Sequence, residues 1–206
     1  MRSIILCVLV IAALGCKREK LPFLGEPDAV LEMVEGIETE VLKYPKIPQY
    51  SFVNHLGKKF TEAEMEGKIY VADFFFTTCP TICPIMKSNM LTVFERFKDN
   101  DAVGILSHTI DPDHDTPAVL SKYASDMELT GDMWQFVTGK REDIYEICQK
   151  HYFVSAMEAP NEPGGLIHSG SFVLVDKNKY VRGIYDGTSK ESTAKLIKDM
   201  EVLLDE

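Results

Sequence analysis

The chain has 206 residues, 45% hydrophobic and 26% charged, an ordinary balance for a globular protein large enough to bury a core without disulfide staples. Its 32 acidic residues outnumber its 22 Lys and Arg, for a net charge of -10. The acidity is spread along the chain and no basic cluster offsets it, which excludes nucleic acid as a partner and reads as a solvated surface.

Residues 1–15 read as a signal peptide: Arg2 supplies positive charge, and Ile4 to Leu14 is an apolar run too short to span a bilayer. The run ends in Ala13-Leu14-Gly15-Cys16, then Lys17-Arg18-Glu19-Lys20. This resembles the lipobox of bacterial lipoproteins, with Ala13 where Leu is commonest. It predicts export, lipidation of Cys16 and anchoring to a bacterial membrane, the domain facing the periplasm or outer compartment. Residues 16–45 read as the lipidated N-terminus and tether. Within them Asp28 to Leu42 carries a weak helical stripe, which predicts a short surface helix or an extension that orders only on the domain.

The domain proper is expected over 46–206. Tyr50 to Asn54 and Lys58 to Phe60 flank Gly57 and predict an N-terminal β-hairpin, with His55 as a solvated turn residue. Thr61 with Glu64 predicts a capping box. Ile69 to Phe76 is a buried strand. From Met86 the period becomes helical, with Met86, Met90, Val93, Phe94 and Phe97 on one stripe. Cys79 and Cys83 sit at that junction, flanked by Pro80 and Pro84, which fix φ where a helix start has spare donors. Two thiols at i and i+4 on a helix start can face the same way, and the helix N-terminus favours thiolate. A thiolate is both the nucleophile of disulfide exchange and a soft-metal ligand, so the stretch predicts a redox pair or a metal clamp.

Ala102 to Ile110 is a second buried strand. Asp111, Asp113 and Asp115 alternate as in a Ca²⁺ loop but lack the downstream glycine and glutamate, so Thr116-Pro117 reads as N-cap and N1 of a helix. Trp134 to Gly139 is a third strand. Arg141 to His151 is a helix carrying Cys148 as a core thiol. A loop then leads to His168, and Ser171 to Val175 with Tyr180 to Tyr185 forms a hairpin. Thr188 with Glu191 predicts the cap of a last helix whose stripe is Ile197, Met200, Val202, Leu203 and Leu204. The order predicts an α/β fold of thioredoxin-like architecture: a central mixed β-sheet flanked by helices on both faces, with the site beyond the carboxyl ends of its strands.

The blocks Asp73-Phe74-Phe75-Phe76-Thr77-Thr78-Cys79-Pro80-Thr81-Ile82-Cys83-Pro84, Asp111 to Pro117, Trp134 to Gly139 and His168 to Asp176 resemble, in order, the Sco/SenC family. His114 departs from that pattern, where arginine is common, and puts any ion pair of that arginine in doubt. The resemblance implies a membrane-tethered, thioredoxin-fold copper protein that helps assemble the CuA centre of cytochrome c oxidase. It implies one copper per chain, as Cu(I) or Cu(II), held by Cys79, Cys83 and His168. Donor chemistry agrees, since two thiolates suit Cu(I) and an added imidazole can also hold Cu(II). The implied partner is the copper-binding subunit of the oxidase or another copper protein, and the domain is expected to be monomeric. As a metallochaperone it performs no turnover. The alternative is a thiol-disulfide oxidoreductase in which Cys79 and Cys83 reduce the copper-binding cysteines of an exported target.

Overall fold

The computed structural model describes residues 20–129, 131–162 and 164–206. The expected signal peptide and Cys16 lie outside the described residues. In chain order the elements are β1 (Asp28–Val34), β2 (Ile37–Lys43), β3 (Ser51–Asn54), β4 (Lys59–Thr61), a 3₁₀ turn (Glu62–Met65), β5 (Ile69–Phe75) and α1 (Cys83–Phe97). There follow β6 (Val103–Thr109), α2 (Pro117–Ser125), β7 (Trp134–Thr138), α3 (Arg141–Glu146), a π turn (Ile147–His151), β8 (Ala156–Glu158), β9 (Leu166–His168), β10 (Ser171–Val175), β11 (Val181–Asp186) and α4 (Lys190–Leu204).

Seven strands form one mixed sheet in the order β11-β10-β5-β6-β7-β3-β4. The central strands β5, β6 and β7 run parallel, while β10, β11, β3 and β4 join antiparallel. Every residue of β5 and β6 is buried, as the continuous apolar runs require of strands covered on both faces. On one face Phe94 of α1 meets Trp134, and Tyr123 of α2 stacks on Phe75 and meets Phe136 edge-on. Helix α4 lies beside α1. On the other face Tyr152, just past the π turn, packs against Phe74 and His108 and exchanges a hydroxyl hydrogen bond with Tyr70 at 3.0 Å. Phe74, Phe76, Phe136 and Phe172 are fully buried, each stabilising the core by about 1.5–3 kcal/mol. The five predicted stripe residues of α1 are all buried.

Three local expectations are corrected. The stripe over Asp28 to Leu42 is not a helix but the hairpin β1–β2, paired from Asp28↔Lys43 to Val34↔Ile37. Its two-residue turn, Glu35-Gly36, has φ of 52° and 84°, the left-handed pair that closes a hairpin, and β-branched Val30, Val34, Ile37, Thr39 and Val41 favour strand. The cap of α4 is Ser189, which accepts from the Ser192 amide, while Thr188 is held by Asp186. That frame buries Leu196, Met200 and Leu203 and leaves Val202 half-buried. The helix at Arg141 widens after Glu146 into a π turn. Cys148 within it is fully buried and donates to the Val154 carbonyl at 3.3 Å, a core thiol as expected. The Thr61/Glu64 capping box and the Thr116 cap with Pro117 at N1 form as predicted.

Candidate metal centre

Strand β5 ends at Phe75, and the chain reaches Cys79 through a turn in which the Cys79 amide donates to the Phe76 carbonyl at 3.2 Å. Helix α1 begins at Cys83 with Pro84 behind it, so the second thiol sits in the first turn. Strand β9 pairs with β8 (Ala156↔His168) and delivers His168 to the same place from the far side of the chain. Among the described residues, Cys79, Cys83 and His168 are the one group of three or more such ligands whose atoms lie close together, all within 4.8 Å of one another. They are 9%, 5% and 5% exposed, respectively, and Cys79 and His168 also line a cavity that opens to the surface. That cavity is about 280 Å³, and its walls include Phe76, Thr81, Ile82, Leu166 and Ile167.

Hydrogen bonding prepares the donors. His168 Nδ1 lies 3.1 Å from the Ser169 carbonyl, which can only accept, so Nδ1 carries the proton. Nε2 then presents its lone pair, 3.2 Å from Cys83 Sγ. Burial holds the imidazole below its ordinary pKa, opposed by the Ser169 bond, so the ring is neutral and able to ligate. The two thiols differ. Burial pushes Cys79 up, but the Cys83 thiol and the amides of Thr81 and Cys83 outweigh it, and the balance falls below the ordinary thiol range. Burial pushes Cys83 far up, and its hydrogen bond to Cys79 and the charges of Cys79 and Asp73 add to this. Without a metal, Cys79 is the more acidic of the two thiols and the one that forms thiolate first.

Two supporting networks were not identified from sequence. Asp115 is fully buried and accepts from the Thr77 amide at 3.0 Å, the Thr109 hydroxyl at 2.6 Å and the Thr77 hydroxyl. It ties the acidic loop to the turn leading to Cys79. His114 Nδ1 lies 3.0 Å from Asp115, a hydrogen bond that raises its pKa, so the histidine keeps a partner where an arginine is common in the family pattern. Asp113 and Asp111 instead face Arg141, at 2.7 and 3.8 Å. Asp111 and Asp113 are committed to Arg141 and Asp115 to Thr77 and Thr109, which disfavours the Ca²⁺ alternative. The hints in the sequence were the missing downstream glycine and glutamate and Thr116-Pro117, which marked the loop as a helix entry.

The second network lies under α1, where Trp134 Nε1 donates to Ser107 Oγ at 2.8 Å and Ser107 donates to buried Asp73. Burial pushes the Asp73 carboxyl up to about 7, against the lowering effect of Ser107. A carboxyl raised in the folded state costs nothing below its unfolded value, where both states are neutral. As pH rises from about 4 to 7 the unfolded chain ionises first, and stability falls by about 4 kcal/mol at 1.36 kcal/mol per unit. Urea unfolding across this window is expected to show that slope, and Asp73→Asn to flatten it.

Gly164 shapes the opening. Its φ is +88°, and a Cβ there would stand 2.6 Å from Phe76, the ring set edge-on to His168. Gly164→Ala is expected to lower stability by about 1–3 kcal/mol through strained backbone and a displaced ring, measurable as a lower unfolding midpoint.

The SCO1/SenC family model matches residues 39–205. A SCO1/SenC family lipoprotein from Bacillus anthracis has a crystal structure 32% identical, with a TM-score of 0.70, covering 77% of this chain and 95% of that one. BsSco, described as carrying a disulfide switch and as a member of the Sco family of cytochrome c oxidase assembly proteins, is 32% identical with a TM-score of 0.67, covering 77% and 92%. Yeast Sco1 with copper bound is 28% identical with a TM-score of 0.58, covering 76% and 90%. A match that runs from the second strand to the last helix, over a thioredoxin-like sheet with a Cys-Cys-His cluster at the end of its central strand, makes this chain a member of the SCO1/SenC family.

Proposed function

We propose that the protein is a copper metallochaperone that holds one copper ion through Cys79, Cys83 and His168 and delivers it toward the CuA centre of cytochrome c oxidase. The observation that carries this reading is the convergence of two sulfurs and an imidazole whose tautomer leaves Nε2 free. The set fits the metal. Two thiolates hold Cu(I), and a mixed sulfur and nitrogen set accommodates Cu(II) as well. The ligand atoms stand close enough for one ion at thiolate–metal distances of about 2.3 Å. The likeness to yeast Sco1 with copper bound supports the cargo, and the likeness to BsSco supports the destination. Lipidation of Cys16, supported by the lipobox-like sequence and the Bacillus anthracis lipoprotein, holds the domain on a bacterial membrane, facing the periplasm or outer compartment.

The unequal thiols favour a second reading, disulfide reduction. Thiolate Cys79 attacks a disulfide of the target, forming a mixed disulfide and expelling one target thiolate. Cys83 passes its proton to that leaving group and attacks the Cys79 sulfur. The second target sulfur leaves as a thiolate and takes its proton from water, so the target departs with two thiols and the protein with a Cys79–Cys83 disulfide. Loading the reduced protein with Cu(I) against a competing chelator, and separately with Cu(II), distinguishes the two. One copper per chain, with a thiolate-to-Cu(II) absorption band, supports the chaperone. No retained copper, with rapid disulfide exchange indifferent to His168, supports the reductase.

A further inference from the structure

Residues 16–45 read in the sequence as a tether holding a short helix or an extension that orders only on the domain, and its described part is fastened to the domain. The guanidinium of Arg182, 4% exposed, donates to the Leu21 carbonyl at 2.6 Å and the Pro22 carbonyl at 3.0 Å, and is itself held by Asp176 and Glu206. It also lies 4.4 Å from the Phe23 ring, which packs on Tyr44 and Tyr180. The Leu24 amide donates to the Val181 carbonyl at 2.9 Å. The segment that returns from the β1–β2 hairpin is fastened at the same place, through the Lys46↔Tyr180 bridge and the Ile47 amide on Lys179.

This fastening lies at one end of the sheet. Val181 pairs with Val175, and Val175 with Tyr70 at the start of β5. Cys79 follows the other end of β5, about 20 Å away at 3.3 Å per residue. Five residue steps separate Cys16 from Leu21, which reach at most about 18 Å.

We propose that Arg182 makes the tether short, so that the domain stands on the lipid surface with its Arg182 end down and the Cys79/Cys83/His168 cluster facing away from the bilayer. This rests on the lipidation of Cys16. It deepens the proposed function by defining the acceptor: a protein whose copper ligands lie roughly one domain length above the membrane, not at its surface. A free tether of thirty residues would let the cluster tip toward the lipid and sample every height.

The test uses the full-length lipidated chain on a supported phosphatidylethanolamine bilayer, with protein height read by neutron reflectometry and amide protection by hydrogen exchange. Expected is a protein layer contiguous with the headgroups, and a Leu24 amide exchanging at least about tenfold slower than in an unstructured chain. A twenty-residue Gly-Ser insertion between Arg18 and Glu19 leaves every Arg182 contact in place. It is expected to raise and broaden the layer by about 25 Å. It is also expected to slow copper transfer to a membrane-embedded acceptor while leaving transfer to a soluble two-cysteine peptide unchanged. A lipidated chain with an unprotected Leu24, or one whose height the insertion does not alter, overturns the proposal. A mature chain whose mass carries no lipid on Cys16 overturns its premise, and leaves the copper chemistry to be judged separately.

Discussion

His168→Ala is expected to weaken Cu(I) retention by more than about 100-fold, beyond the 10–100-fold that losing a ligand's outer hydrogen-bond partner costs a metal site. The imidazole is the only nitrogen donor in the cluster, and its ring is locked by the Ser169 carbonyl, so no neighbour can replace it. A two-thiolate site would remain. It can still take Cu(I) weakly, and it loses the mixed donor set that accommodates Cu(II). The thiolate-to-Cu(II) absorption band is therefore expected to disappear, while unfolding by urea changes by no more than about 1–2 kcal/mol, because the ring's hydrogen bonds to Ser169 and Cys83 sit beside a cavity. Chelator competition with Cu(I) and the absorption spectrum with Cu(II) check both halves.

The second large effect lies outside the ligands. Asp115→Ala removes a buried carboxylate that accepts from Thr77, Thr109 and His114. The Thr77 amide and Thr109 hydroxyl would be left facing a void. The expected cost is about 2–5 kcal/mol, from about 1–3 kcal/mol for each of the two buried donors left without an acceptor. In a chain of this size that lowers the thermal midpoint by on the order of 10 °C. The turn from Thr77 to Cys79 would loosen with it, so copper retention is expected to fall by about 10-fold or more as for a lost outer partner. Asp115→Asn keeps one acceptor for Thr77 and is expected to recover most of the copper retention but only part of the stability. Thermal unfolding of the two variants, followed by chelator competition, separates the two contributions.

Much of this architecture was legible because the local signals agreed with one another. The switch from a continuous apolar run to a 3.6-residue stripe marked β5 and α1, and with them the position of Cys79 and Cys83 at a helix start. His168 was different. Eighty-five residues separate it from Cys83, and nothing in its own loop says that β9 folds it onto the thiols. The family resemblance suggested it; spacing alone did not. The acidic loop was read correctly as a helix entry, but the role of Asp115 was hidden for a related reason, since its partner Thr77 lies 38 residues away in the chain. The β1–β2 hairpin was masked because Val30, Leu31, Val34, Ile37 and Val41 also fit a helical stripe, and only the left-handed pair Glu35-Gly36 decides the matter. Arg182 gave no signal at all: its partners are backbone carbonyls 160 and 161 residues earlier in the chain, and carbonyls leave no trace in composition.

The central claim is that one copper ion is held by two sulfurs and one histidine nitrogen. X-ray absorption at the copper edge of the Cu(I)-loaded full-length protein tests it most directly. The account predicts two sulfur scatterers and one imidazole at a single copper, with the imidazole signal lost in His168→Ala. A copper–copper vector from a bridged cluster, or an unchanged nitrogen signal in that variant, would contradict it.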